Sequence, residues 1–192
     1  MTSTPPNRWL AIALAVASAG CLVAAALTQR WLVNGNVYDE IHVGLRSMSA
    51  CESGLGETAC IETPNNQYTI AFEDRGNTSS AFAPAGWATF VTCLVSAFGA
   101  VAAAALAIAR KQPDLPVAPT TIALVACVLA LIAGFVFVAT KPGPAGYVGL
   151  GDSFYVFAAG VLLGLASAPM LAKVNRPPDP DLLEDAMNPD QF

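Results

Sequence analysis

The stretch WLAIALAVASAGCLVAAALTQ, residues 9–29, contains no charged side chain. At about 1.5 Å of rise per residue, a helix of that length crosses about 30 Å of hydrocarbon. Three further charge-free runs follow, at 76–109, 115–140 and 153–172. The 192-residue chain as a whole is 55% apolar and 12% charged, with a formal net charge of −5. A soluble domain averages about 25% charged residues. The composition is that of a four-span membrane protein. It excludes a soluble globular enzyme, a disordered chain and a nucleic-acid binder, which would carry a basic face.

The first run is expected to be a retained span. Ser18-Ala19-Gly20-Cys21 resembles the small-residue run before a lipoprotein cysteine, but the apolar sequence continues through Leu22-Val23-Ala24-Ala25-Ala26-Leu27. A cleaved signal has an apolar region of only about 7 to 15 residues. Backbone polar groups inside a bilayer must be satisfied within their own segment, so the spans are helices. They are placed at 9–29, 85–109, 120–140 and 153–172. Pro84 and Gly86 suit the start of the second span, Pro119 and Thr120-Thr121 that of the third, and Asp152 reads as the N-cap of the fourth. Trp9, Trp31, Trp87, Tyr147 and Tyr155 lie near span ends, where interfacial aromatics gather.

These placements leave a cytoplasmic N-terminus at 1–8, a cytoplasmic loop at 110–119, a short outer loop at 141–152 and an acidic, Pro-rich tail at 173–192. Orientation follows from the flanking cations. Arg8, Arg110, Lys111, Lys173 and Arg176 face Arg30, Arg46, Arg75 and Lys141 across the membrane, and Arg46 and Arg75 belong to a long loop. Both termini are therefore expected in the cytoplasm, with residues 30–84 outside. Cys51 and Cys60 fall in that outer loop, on the oxidising side where a disulfide persists. Cys21, Cys93 and Cys127 fall within spans.

No span carries Asp, Glu, Lys, Arg or His in its interior. A charge at mid-bilayer costs about 2.5 to 3.5 kcal/mol or more and marks ion pathways and proton relays, so a transporter with its own coupling site is not expected. The spans carry instead small residues at helical spacing: Ala13, Ala17, Gly20 and Ala24; Gly99 and Ala103; Ala126, Ala130 and Gly134; Gly160, Gly164 and Ala168. Such stripes let helix backbones approach closely. Packing within the chain's own bundle is the expectation for each, and Gly160, Gly164 and Ala168 form a stripe for helix packing or a partner face, its Gly160 and Gly164 pair the first to test for a partner.

The outer loop at 30–84 is too long for a plain connection and reads as strands. Trp31-Leu32-Val33, Asn34-Gly35 and Asn36-Val37-Tyr38 give a hairpin signal with the turn at Asn34-Gly35. Ile41, Val43 and Leu45 alternate with His42, Gly44 and Arg46, and Tyr68, Ile70 and Phe72 with Thr69, Ala71 and Glu73, as half-buried strands do. Gly54 and Gly56 permit a turn between the two loop cysteines. A disulfide closing about ten residues would contribute roughly 2 to 3 kcal/mol on the loop-entropy model.

The order Trp31, then Gly44-Leu45, then Cys51 and Cys60, together with the topology, resembles claudins and their relatives, the peripheral-myelin and calcium-channel-gamma type tetraspans. The specific likeness is confined to about residues 31–60. Arg46 stands where the family signature has a second Trp, and four residues separate it from Cys51 where claudins usually have two. The Ala-rich spans look like those of a protein from a GC-rich bacterium, so a divergent bacterial member is expected and a tight-junction role does not carry over. The resemblance implies an all-α membrane protein, a four-helix transmembrane bundle with a small antiparallel β-sheet in the first extracellular loop. It implies a Cys51–Cys60 disulfide, a sheet-anchoring Trp31 and a sheet turn at Gly44 and Leu45.

Other chemistry is thinly represented. Quinone-reducing thiol oxidases use closely spaced Cys-x-x-Cys pairs that exchange electrons, and this chain has none. His42 beside Asp39 and Glu40 falls short of a zinc ligand set. Glu40, Glu52, Glu57, Glu62, Glu73 and Asp74 make the loop acidic, a solvated surface or, by analogy with claudins, a cation-favouring or docking face. In the tail, Leu182, Leu183, Ala186 and Met187 could line a short helix, and Asp190-Gln191-Phe192 could be read by a carboxylate-capturing partner.

The expectation is a non-catalytic protein with no catalytic, cofactor-binding or metal-binding residues. It meets the lipid bilayer and other membrane subunits or copies of itself, and no nucleic acid or small-molecule substrate. It is an accessory subunit of a larger complex in a plasma or bacterial inner membrane, or alternatively a claudin-like adhesion or barrier strand former. A thiol-quinone oxidoreductase is the remaining alternative.

Overall fold

Four long helices arise where the charge-free runs lie, because such sequences bury or shield every backbone polar group only as helices. The structure, a computed structural model, describes residues 7–35, 39–54, 57–67, 79–109, 117–141 and 148–175. The helices are α1 Arg8–Leu27, α2 Phe82–Ala109, α3 Pro119–Ala139 and α4 Asp152–Val174. All four are long and apolar enough to cross a membrane. They pack in a ring, α1 against α2 and α4, and α3 against α2 and α4.

The helix ends follow local chemistry. The Asn7 side chain accepts the Trp9 N–H at 3.1 Å and caps α1. Pro119 opens α3, where its missing N–H costs nothing. Asp152 does not cap α4 as expected. Gly151 holds that position and Asp152 is the first helical residue, its carboxylate near the positive end of the helix. The reason is a chain crossing: the Gly151 N–H donates to the Trp31 carbonyl at 2.9 Å, and a β-carbon on Gly151 would collide with the Arg30 carbonyl. α2 starts at Phe82, three residues before the expected Ala85, with Pro84 in its first turn.

Over one end of the bundle lies a five-stranded antiparallel sheet in the order β4-β3-β2-β1-β5, with β1 Leu32–Gly35, β2 Asp39–Val43, β3 Ser47–Gly54, β4 Glu57–Pro64 and β5 Gly149–Leu150. Asn34-Gly35 is not a turn. Both residues are paired, Asn34 with Ile41 and Gly35 with Glu40, because the ladder starts directly after Trp31, whose N–H donates to the Val43 carbonyl at 3.0 Å. Residues 36–38, between the two strands, lie outside the described residues. The strand expected to reach Leu45 stops at Val43, where Gly44 turns. The strand expected over Tyr68 to Glu73, Tyr147, and the loop and tail calls at Arg110, Lys111 and 176–192 also lie outside the described residues.

The core joins sheet to bundle. Leu32, Ile41, Val43 and Met48 on one sheet face are buried with Trp31, Phe82, Phe137 and Phe157 from the bundle end. Trp31 is therefore not an interfacial aromatic: it has no exposed surface. Trp9, Trp87 and Tyr155 are exposed.

Candidate functional site

Among the described residues, the sheet is held to the bundle at three points. Trp31 is the first. Its rings lie 5.9 Å from Phe137, 4.9 Å from Phe157 and 6.1 Å from Phe154, and Phe82 stacks on Phe137 at 4.5 Å. A buried indole needs an acceptor for its N–H. It finds the Ala25 carbonyl at 2.6 Å, one of the carbonyls that the last turn of α1 leaves open.

The Gly44-Leu45 turn is the second point. The Gly44 N–H donates to the Ser47 carbonyl at 2.8 Å. A β-carbon on Gly44 would lie 3.0 Å from Gln29 Cα. Leu45 is buried and its carbonyl rests against Gly86, where a β-carbon would not fit. Asn65 closes the turn, its side-chain N–H donating to the Gly44 carbonyl at 2.9 Å and its backbone N–H to the Arg46 carbonyl at 3.0 Å. Sequence reasoning missed Asn65; the turn-forming Pro64-Asn65-Asn66 was its only signal. Arg46 places its guanidinium 4.5 Å from the Phe90 ring and 6.0 Å from that of Trp87, within the range of a cation–π contact.

Residues 28–30 form the third point, meeting 148–153. The Thr28 hydroxyl donates to the Ser153 hydroxyl at 2.7 Å, Ser153 N–H donates to the Arg30 carbonyl at 3.2 Å, and Arg30 pairs with Asp152 at 3.8 Å. Lys141 Nζ donates to the Val148 carbonyl at 2.6 Å.

Cys51 and Cys60 form a disulfide between directly paired residues of β3 and β4. On the polar face of the sheet the Glu62 carboxylate accepts from Ser47 Oγ at 2.6 Å and Gln29 Nε2 at 2.7 Å. These two bonds, with a smaller contribution from nearby Arg46, hold its pKa below the usual carboxylate value. Gln29, Arg30, Glu40, His42 and Ser49 line an open cleft beside it. There the His42 imidazole and Glu40 carboxylate approach to 3.5 Å. Among the described residues, no three His, Cys, Asp or Glu side chains converge as metal ligands.

In the bundle interior, hydroxyls are engaged with backbone. Ser18 donates to the Gly160 carbonyl at 2.7 Å, Ser96 to Ala123 at 3.0 Å and Ser167 to Gly164 at 3.2 Å. Three small-residue stripes are consumed by the chain's own packing. A β-carbon on Gly99 would lie 2.9 Å from the Ala123 nitrogen, one on Gly134 2.9 Å from the Phe157 ring, and one on Gly160 2.9 Å from Cys21 Cβ. Gly164 is equally tight, with Ser18 Oγ at 2.9 Å and Cys127 Sγ at 3.1 Å from such an atom. Gly160, Gly164 and Ala168 are buried against this chain's own helices and are not available as a partner face.

The fourth stripe is different. Ala13, Ala17, Gly20 and Ala24 are all exposed on α1, and a β-carbon on Gly20 would meet nothing within 4 Å. Exposed Leu10 and Leu27 extend the same line. The six positions alternate in steps of three and four, the repeat of a helix seam. When compared with models of known protein families and with curated proteins, the sequence matches none.

Proposed function

We propose that this is a multi-pass integral membrane protein that works without catalysis, as an accessory or structural subunit whose α1 seam receives a helix of another membrane chain. One observation supports the reading above the others: Leu10, Ala13, Ala17, Gly20, Ala24 and Leu27 form a heptad-spaced, open face, while the comparable stripes on the other helices are filled internally. Bulky apolar faces suffice against lipid, whereas small residues in register allow close helix contact. In this reading both termini lie in the cytoplasm and the sheet lies outside a plasma or bacterial inner membrane.

Gly20→Leu tests it, because the added side chain enters open space in the monomer. The variant should fold as the parent does and lose its co-purifying subunit in mild detergent. Retention of the same subunits would overturn the assignment of the seam.

A second reading, claudin-like self-assembly into an adhesive or barrier strand, is favoured by the β4 edge of the sheet as the described residues form it. β4 is a terminal strand, and Ile61 on it is 70% exposed. Such an edge can add a strand from another chain. Homopolymers free of foreign subunits on purification would support this reading over the first.

A further inference from the structure

We propose that Arg46, Trp87 and the exposed face of α2 beneath them form a binding site for a single phospholipid, with its phosphate on Arg46 and an acyl chain along α2. The headgroup half rests on Arg46. Its guanidinium sits over Phe90 at 4.5 Å and Trp87 at 6.0 Å. Stacking on aromatic rings engages the flat face of a guanidinium and leaves its N–H edge free. Among the described residues no carboxylate lies within ion-pair distance of it. The nearby Glu62 carboxylate is engaged by Ser47 and Gln29 instead. The exposed arginine therefore offers planar, paired donors, which suit a phosphodiester.

The tail half rests on α2. Trp87, Val91, Val95 and Phe98 are all exposed and succeed one another at four, four and three residues, so they form one line down the helix. Phe98 is 84% exposed. Eleven residues separate Trp87 from Phe98, which is about 16 Å along a helix, close to half of a hydrocarbon core about 30 Å thick. The line thus begins at an aromatic of the kind found at headgroup level and runs the depth of one leaflet. Cation, aromatic and apolar line occur in the order of phosphate, glycerol and acyl chain, which favours a lipid over a free anion.

The full-length chain in mild detergent, titrated with phosphatidylglycerol and read by native mass spectrometry, tests this. Arg46→Gln should weaken binding of the first lipid by about tenfold, the loss of one charge-assisted contact. Phe98→Asn, on a side chain that is 84% exposed, should weaken it by about threefold. Arg30→Gln, at an exposed arginine paired with Asp152, should leave it unchanged, and millimolar inorganic phosphate should not displace the lipid. Unchanged affinity in either Arg46→Gln or Phe98→Asn overturns the proposal. So does an equal loss in Arg30→Gln, which would indicate a diffuse cationic surface, or displacement by inorganic phosphate, which would indicate an anion site.

Discussion

The stripe on α4 and the stripe on α1 are alike in composition and opposite in what they meet. Gly160 and Gly164 press against Cys21, Leu22, Ser18 and Cys127 of the same chain, while Gly20 faces open space. Small-residue spacing states that a backbone can be approached closely, but it does not say by what. The α1–α4 contact is in fact made by the other side of the same first helix: Ser18, Leu22 and Cys21 pack on α4, and Ala13, Ala17, Gly20 and Ala24 point away. One helix thus serves the fold on one face and is open on the other.

The sharpest way to break the contrast is a matched pair of substitutions. Gly160→Leu would drive a side chain into Cys21 and Leu22, and overpacking of this kind costs typically about 1 to 3 kcal/mol. Thermal unfolding in detergent should show a clear fall in melting temperature. Ser18→Ala is expected to cost less, about 0.5 to 1.5 kcal/mol, because it removes a hydroxyl that donates to the Gly160 carbonyl. Gly20→Leu should change monomer stability by less than about 0.5 kcal/mol in the same assay, as expected for an exposed site. A fall as large as that of Gly160→Leu would mean that α1 has no free face.

The smallest expected effect separates sheet from bundle. The Glu62 pKa is lowered in the folded chain, so its bonds to Ser47 and Gln29 stabilise the sheet fully above the ordinary carboxylate value, and the contribution fades as pH falls through the lowered one. Acid titration should therefore loosen amide-exchange protection around Ser47 and Glu62 while that of the span interiors, which carry no such carboxylate, stays constant. Glu62→Gln should remove the difference.

Legibility from sequence followed the range of the determining contacts. The spans could be read to within a few residues because charge exclusion is a property of each segment alone. Local signals failed where a distant partner decides. Asn34-Gly35 has the composition of a turn, but pairing from Trp31 onward absorbs it into the ladder. β5 is only Gly149–Leu150, and it is a strand because Leu32 and Val33 lie beside it. Asp152 is a good capping residue displaced by a crossing that only glycine permits at 151. Trp31, Gly44 and Leu45 could be picked out by their order along the chain, whereas Asn65 and Gly86, which meet the Gly44-Leu45 turn, are joined to it only in three dimensions. The open face of α1 could not be distinguished from the other stripes until their partners were placed.

Disulfide trapping in native membranes tests the central claim most directly. In a Cys21→Ser background, Ala17→Cys should cross-link to a second polypeptide under mild oxidation, and Ala168→Cys, buried between this chain's own helices, should not. Cross-linking at residue 168 with none at residue 17 would contradict the account.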